Sequence, residues 1–225
     1  MSIQNLVLLI AGVINLIMSF IVFNRGVKNN KINRYFSLLT FFTFLWGVGL
    51  ILFNYGISIE LSRFFASFIY PVALMILVSV FYLTVYFPYK SFEVSTLYKI
   101  LVIIFSLFFT IFCLWGYKIF VPEAAILPVV SVVYEPWSYL LYTIILITLM
   151  LASIIILFSK FFKAEKPFKL SLKLTLIAII MGSVAGSYFN LFLMYFNHNN
   201  YNHLGPLFTL LMNGSVFYLI FLSKK

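Results

Sequence analysis

Aspartate is missing from this chain altogether, and the remaining acidic side chains are five glutamates, Glu60, Glu93, Glu123, Glu135 and Glu165, each read as a loop residue. Charged residues make up 9% of the 225 positions, where a soluble domain carries about 25%. No polar block is long enough to form a second domain, so the chain is expected to be a single domain over 1–225. The single cysteine, Cys113, lies in an apolar run, which excludes an intramolecular disulfide. A reactive thiol would need an electropositive, accessible setting that this run does not offer. The two histidines, His198 and His203, share an asparagine-dense turn and are too few to hold a metal. No metal and no cofactor is expected. That pair is read as polar turn residues or as a sensor of pH, since histidine titrates near neutrality.

What the chain has in abundance is apolar surface: 64% of its residues are hydrophobic and 20% aromatic. No water-soluble fold could hide this much, so the solvent is lipid. Crossing the roughly 30 Å hydrocarbon core takes about 20 mostly apolar residues. Seven stretches meet that requirement or come close: 3–23, 35–55, 64–87, 97–115, 137–158, 174–195 and 206–222. The first reads as a span rather than a cleaved signal, because its cations follow the apolar run instead of preceding it.

The cations set the expected orientation. Arg25, Lys28, Lys31 and Arg34 lie between spans one and two, Lys90 and Lys99 between three and four, Lys160, Lys163, Lys166, Lys169 and Lys173 between five and six, and Lys224 and Lys225 after the last. Only Arg63 and Lys118 fall on the other side. The positive-inside rule then places the N-terminus outside and the C-terminus in the cytoplasm, which requires an odd number of spans. The net charge of +10 is explained by this topology, so nucleic acid is not expected as a partner. No cation is read at mid-span. Pumps, proton-coupled carriers and voltage sensors depend on intramembrane ionisable groups, and a retinal protein needs a lysine within its last span. None of these classes fits.

The polar side chains within the spans are mild. Asn54 and Asn190 fall in the outer halves of their helices, where they could line a pocket open to the outside together with Trp46, Tyr70 and Tyr188. The alternative is that they act as interhelical hydrogen-bonding groups, contributing on the order of 1 kcal/mol each. In span six Ala178, Gly182 and Gly186 repeat at i+4, a small-residue stripe that allows close helix approach, either inside the bundle or in a homodimer. The link between spans four and five carries Pro122, Pro128 and Pro136, which argue against a continuous helix there. It is read as a membrane-hugging connector or as a lid over a pocket.

Asn190-Leu191 near the end of span six, Leu204-Gly205-Pro206-Leu207 at the start of span seven and Tyr218-Leu219-Ile220 at its end resemble the closing hairpin of the seven-helix membrane region at the N-terminus of many bacterial sensor histidine kinases. That pattern usually has a proline four residues after the asparagine, where this chain has Met194. Leu45-Trp46-x-x-Gly49, the aromatic end of span three at Phe87-Pro88 and the basic stretch 160–173 extend the likeness over the whole chain. The resemblance implies a sensor input module that passes a signal to a cytoplasmic kinase or another signalling partner. Within the 225 residues there is no phospho-acceptor segment and no glycine-rich ATP lid. Two readings stay open: the sensor part of a longer kinase, or a bundle that signals through a partner.

The expectation is therefore an all-α membrane protein, a seven-transmembrane-helix bundle of the inner (plasma) membrane, non-enzymatic, detecting a small or lipid-like signal. The competing class is a small transporter or permease subunit. A membrane enzyme would need an acid, base or nucleophile at a shared depth, and no such constellation is visible.

Overall fold

The computed structural model describes residues 2–89, 94–126 and 130–222. Among these, seven helices are long and apolar enough to cross a membrane: Ile3–Asn24, Lys31–Tyr55, Ile59–Tyr86, Thr96–Trp115, Pro136–Lys163, Phe168–Tyr195 and Asn199–Phe221. The protein is an all-α seven-helix bundle. Its elements are α1 (Ile3–Asn24), α2 (Lys31–Tyr55), α3 (Ile59–Tyr86), α4 (Thr96–Trp115), a single turn α5 (Tyr117–Phe120), strands β1 (Glu123–Ala125) and β2 (Ser131–Val133), α6 (Pro136–Lys163), α7 (Lys166–Ser187), α8 (Leu193–Tyr195) and α9 (Leu204–Phe217). A π-helical turn, Tyr188–Phe192, joins α7 to α8, and a second, Tyr218–Leu222, follows α9.

Local chemistry explains where the helices start. Ser2, Asn30, Ser58, Ser95 and Glu135 each accept a backbone N–H from the first turn of the helix that follows. Such a side chain replaces a missing intrahelical acceptor and is worth about 1 kcal/mol. Gly56 ends α2 in the left-handed region, at φ 56°, which a side chain would resist.

Strong caps let the helices run beyond their apolar cores, and several charges read as loop residues therefore ride on helical ends. Glu60 is in the first turn of α3, and Lys160 and Lys163 are in the last turn of α6. The proline-bearing link is not a plain connector either. β1 and β2 pair antiparallel, Glu123 opposite Val133 and Ala125 opposite Ser131.

The centre of the bundle is α3, buried along most of its length and packed against α2, α4 and α6. α1 lies on α2, and α7 lies on α9. α4 buries only Ser106, Phe109 and Cys113 and forms the rim.

The two ends of the bundle differ in character. At one end, here the hairpin end, Asn197 Oδ1 accepts Val132 N–H at 2.9 Å and Asn199 Nδ2 donates to Val130 O at 2.7 Å, so the β-hairpin is tied to the loop before α9. Arg63 clamps the chain after α5 through the carbonyls of Val121 and Pro122. At the other, basic end, Arg25 lies over the Phe221 ring and Lys31 over the Tyr86 ring.

Lys160 is the most unusual side chain at the basic end. It is 2% exposed, and its three Nζ protons are shared among the carbonyl oxygens of Thr84, Val85, Phe87 and Tyr89, each 2.8 Å from Nζ. The last carbonyls of a helix have no intrahelical donor and carry partial negative charge. An ammonium from α6 thus closes the end of α3. The apolar pattern does not reveal this, because Lys160 sits among other lysines and resembles a solvated loop residue.

Candidate functional site

The bundle is sealed by polar clusters that fasten its helices to one another. Asn213 of α9 donates through Nδ2 to Asn15 Oδ1 of α1 at 2.7 Å and to Thr43 Oγ1 of α2 at 3.2 Å. Asn54 of α2 pairs with Asn5 at 3.1 Å and exchanges hydrogen bonds with Asn202, at 2.7 and 3.4 Å. Ser19 and Ser37 bridge α1 and α2 lower down. Asn5 and Asn15 were not singled out in the sequence. The signal that points to them is their position on the face of α1 that also carries Ser19, opposite a fully apolar face.

One interior region is left open. Between α3, α6, α7 and α9, with Trp46 of α2 at one corner, lies a cavity of ≈ 60 Å³ within ≈ 600 Å³ of atom-free space that includes its open side. Helical periodicity builds its walls. On α3 the lining residues Ile69, Tyr70, Ala73, Ile76, Leu77 and Val80 recur at spacings of three and four, which is one helical face. Gly182 and Gly186 of α7 and Asn190 of the π-turn that follows form a second wall with Ser183 and Ser187 beside them, and α9 contributes Thr209 and Met212. Tyr142 and Leu146 of α6 close the slot. No lining residue is charged.

Asn190 is the polar centre of this cavity. It occupies the middle of the π-turn, a local widening that is frequent at functional sites. The turn also redirects a carbonyl: Tyr139 Oη donates to Leu191 O at 2.6 Å, which holds the irregular turn against α6. The Asn190 carboxamide lies directly over Gly205. A Cβ placed on Gly205 would collide with Asn190 Nδ2 and would stand 3.1 Å from Trp46 Cη2. The residue is 7% exposed, and neither its Nδ2 nor its Oδ1 has a hydrogen-bond partner. Burying such a group unpaired costs about 1–3 kcal/mol.

Tyr70 stands at the hairpin end of the slot, its ring edge-on to Phe120, Tyr134, Tyr139 and Tyr142 at centroid distances of 5.0–5.6 Å. Its hydroxyl is buried with no partner of good geometry.

The structure thus gathers Trp46, Tyr70 and Asn190 around one cavity. The other two candidate ligand residues lie elsewhere. Asn54 is committed to Asn5 and Asn202, and Tyr188 is 51% exposed and stacks on Phe192. The small-residue stripe faces α9, where a Cβ on Gly182 would come within 2.9 Å of Met212 Cβ. Ala178 is half-buried against the core. The face expected either inside the bundle or in a homodimer is occupied by α9 of the same chain. Among the described residues no group of three or more His, Cys, Asp or Glu side chains converges to hold a metal.

A family model described as the N-terminal 7TM region of histidine kinase matches residues 7–224. The chain belongs to that family. No curated protein and no solved structure shows significant similarity to it. As a 7TM region of this kind the protein is a membrane sensor module, a multi-pass protein in a family whose usual bacterial site is the inner (plasma) membrane. The cavity of this 7TM region lies under its closing hairpin, where Asn190, Gly205 and the two π-turns are found. Sequence reasoning reached Asn190 through that hairpin. It missed Tyr139, Thr209 and Met212, whose roles depend on which neighbour each helix face meets.

Proposed function

We propose that this 7TM region receives a small or lipid-like signal in the cavity between α3, α6, α7 and α9, and relays its occupancy as a change in the packing of α7 against α9. The observation that carries the reading is the Asn190 carboxamide, buried at the cavity wall with both its donor and its acceptor unused. Native structures rarely leave such groups unpaired, and a ligand that satisfies Asn190 has a reason to prefer the arrangement in which the group faces it. Differential affinity for two packings is what shifts a population. α9 leads directly into the second π-turn at the basic end, so a change at Asn190 and Gly205 has a continuous helical route to the far side.

On this reading the basic end, with its loops of lysine and arginine, lies in the cytoplasm, the N-terminus is outside and the C-terminus is cytoplasmic. The output goes to a cytoplasmic or membrane partner, and the chain itself performs no catalysis. The uncharged cavity lining supports the last point, because it offers no acid, base or nucleophile strong enough for group transfer.

Spin labels at Leu170 of α7 and Tyr218 after α9, both exposed on the outside of the bundle, test the relay in lipid nanodiscs. Lipid extract from bacterial membranes is expected to shift the inter-label distance distribution relative to a single synthetic phospholipid, and Asn190→Leu is expected to abolish the shift. An unchanged distribution across both lipid backgrounds would sink the proposal. Substrate-dependent flux in proteoliposomes would put the transporter class in its place.

A further inference from the structure

We propose that the ligand is a neutral single-chain amphiphile, with its uncharged hydrogen-bonding head on Asn190 and its tail along α3 towards Val80. This rests on the reading of the cavity as the signal site and adds the chemical class that it selects.

Shape comes first. The lining residues of α3 run from Ile69 to Val80, which is about 16 Å at the helical rise of 1.5 Å per residue. A cavity of ≈ 60 Å³ along that length is a narrow slot with one open side. Such a slot suits one unbranched alkyl chain. The fused rings of a sterol or the paired tails of a phospholipid would need a wider slot.

The chemistry of the two ends gives the tail its direction. Along Ala73, Ile76, Leu77 and Val80 the wall is apolar, and Leu146 and Met212 face it from α6 and α9. At the opposite end stands the Asn190 carboxamide, more than nine-tenths buried, with a free donor and a free acceptor. A head that satisfies both must itself accept and donate, as a primary amide or a hydroxyl-bearing ester does. A carboxylate supplies no donor, and an ammonium supplies no acceptor. Either would also be buried with no countercharge, because every lining residue is neutral. Gly205 makes the head site possible: any side chain there would displace the Asn190 amide.

Trp46 lies beside the proposed head and supplies the readout. The other two tryptophans, Trp115 and Trp137, are 85% and 78% exposed, so Trp115→Phe and Trp137→Phe leave Trp46 as the sole indole of an otherwise intact chain. The probes are straight-chain alkyl carboxamides brominated either near the head or near the tail end, added to the protein in phospholipid vesicles. The head-brominated amide is expected to quench Trp46 saturably and the tail-brominated amide far less. The corresponding fatty acid at neutral pH, and dibrominated phospholipid, are expected to give only the weak, linear quenching of the surrounding bilayer. Asn190→Leu should weaken the saturable phase by tenfold or more.

Equal quenching by head- and tail-brominated probes, or quenching that tracks the bilayer, would overturn the proposal. Should Asn190→Leu not fold, Ala73→Phe in the tail channel replaces it, with the same loss expected. Saturable quenching with no change in the α7–α9 distance would keep the ligand class and sink the relay. A distance change driven by a compound that does not quench Trp46 would sink the ligand class and keep the relay.

Discussion

Asn213 and Asn190 are both buried asparagines at the heart of the bundle, each with an unpartnered Oδ1, and their surroundings treat their amide N–H groups in opposite ways. The first reaches Asn15 and Thr43 and fastens three helices together. The second reaches nothing. Inside a membrane there is little hydrophobic drive between helices, so close packing and interhelical hydrogen bonds hold the bundle. The contrast therefore separates structure from reception. The α1–α2–α9 side is fastened by interhelical hydrogen bonds from the Asn213 amide N–H, although its Oδ1 has no partner, and the α3–α6–α7–α9 side carries an amide with neither end bonded.

The largest effect is expected at the most heavily bonded side chain, Lys160, which ties α6 to the end of α3 on the receptive side. Lys160→Met strands the carbonyls of Thr84, Val85, Phe87 and Tyr89. Since hydrogen bonds to a charged group contribute about 1.5–3 kcal/mol, the variant should lose about 3 kcal/mol, read as a lower unfolding midpoint in detergent micelles by circular dichroism.

The same contrast runs within α7. At Gly182 an added Cβ meets Met212 Cβ and Sδ at 2.9 Å, whereas at Gly186 the nearest atom is Thr209 Oγ1 at 3.9 Å. Gly182→Ala should cost about 1–3 kcal/mol by overpacking, and Gly186→Ala should stay within about 0.5 kcal/mol of the parent. Equal costs in the same unfolding assay would show that the two glycines share one environment.

The asparagine pair comes next. Asn213→Leu should cost about 1 kcal/mol, in line with interhelical hydrogen bonds in membranes. Asn190→Leu should cost nothing, or gain up to about 1 kcal/mol by removing an unpaired buried amide. A loss at Asn190 as large as that at Asn213 would erase the distinction.

The smallest effect is at the hairpin end. The hydroxyl and backbone N–H of Ser138, together with the Trp137 N–H, hold the Glu135 carboxyl below the usual carboxylate range. A depressed folded value means that the cap stabilises above the unfolded value of about 4.3 and weakens as pH falls through the folded one. The melting temperature of the parent should therefore drop slightly below about pH 4.3, and Glu135→Gln should flatten that dependence.

The number of helices, their approximate limits and the closing hairpin were legible in the sequence, because lipid imposes a long apolar run on every span. The limits moved outward where caps such as Ser58 and Glu135 let the helix begin before the apolar run does. Trp46, Tyr70 and Asn190 were legible as large or polar side chains at one depth. Asn54 and Tyr188 satisfied the same criterion, yet they face other neighbours, since depth along a helix says nothing of rotation about it. Lys160 was illegible for a related reason: a lysine that caps another helix and a lysine in water look alike until the neighbouring carbonyls are known.

The four carbonyls around Lys160 have a mechanical consequence. They lie at the end of α3 and just beyond it, the ammonium belongs to α6, and these two helices form adjoining walls of the slot. Joined at the basic end, the walls behave like the arms of tweezers riveted at the base. A widening between these two walls is expected to splay from the hairpin end, with Lys160 near the vertex, rather than to slide them apart in parallel. The span from that vertex to Tyr70 is the length of the lever, and the β-hairpin across the opposite end sits where its travel is greatest.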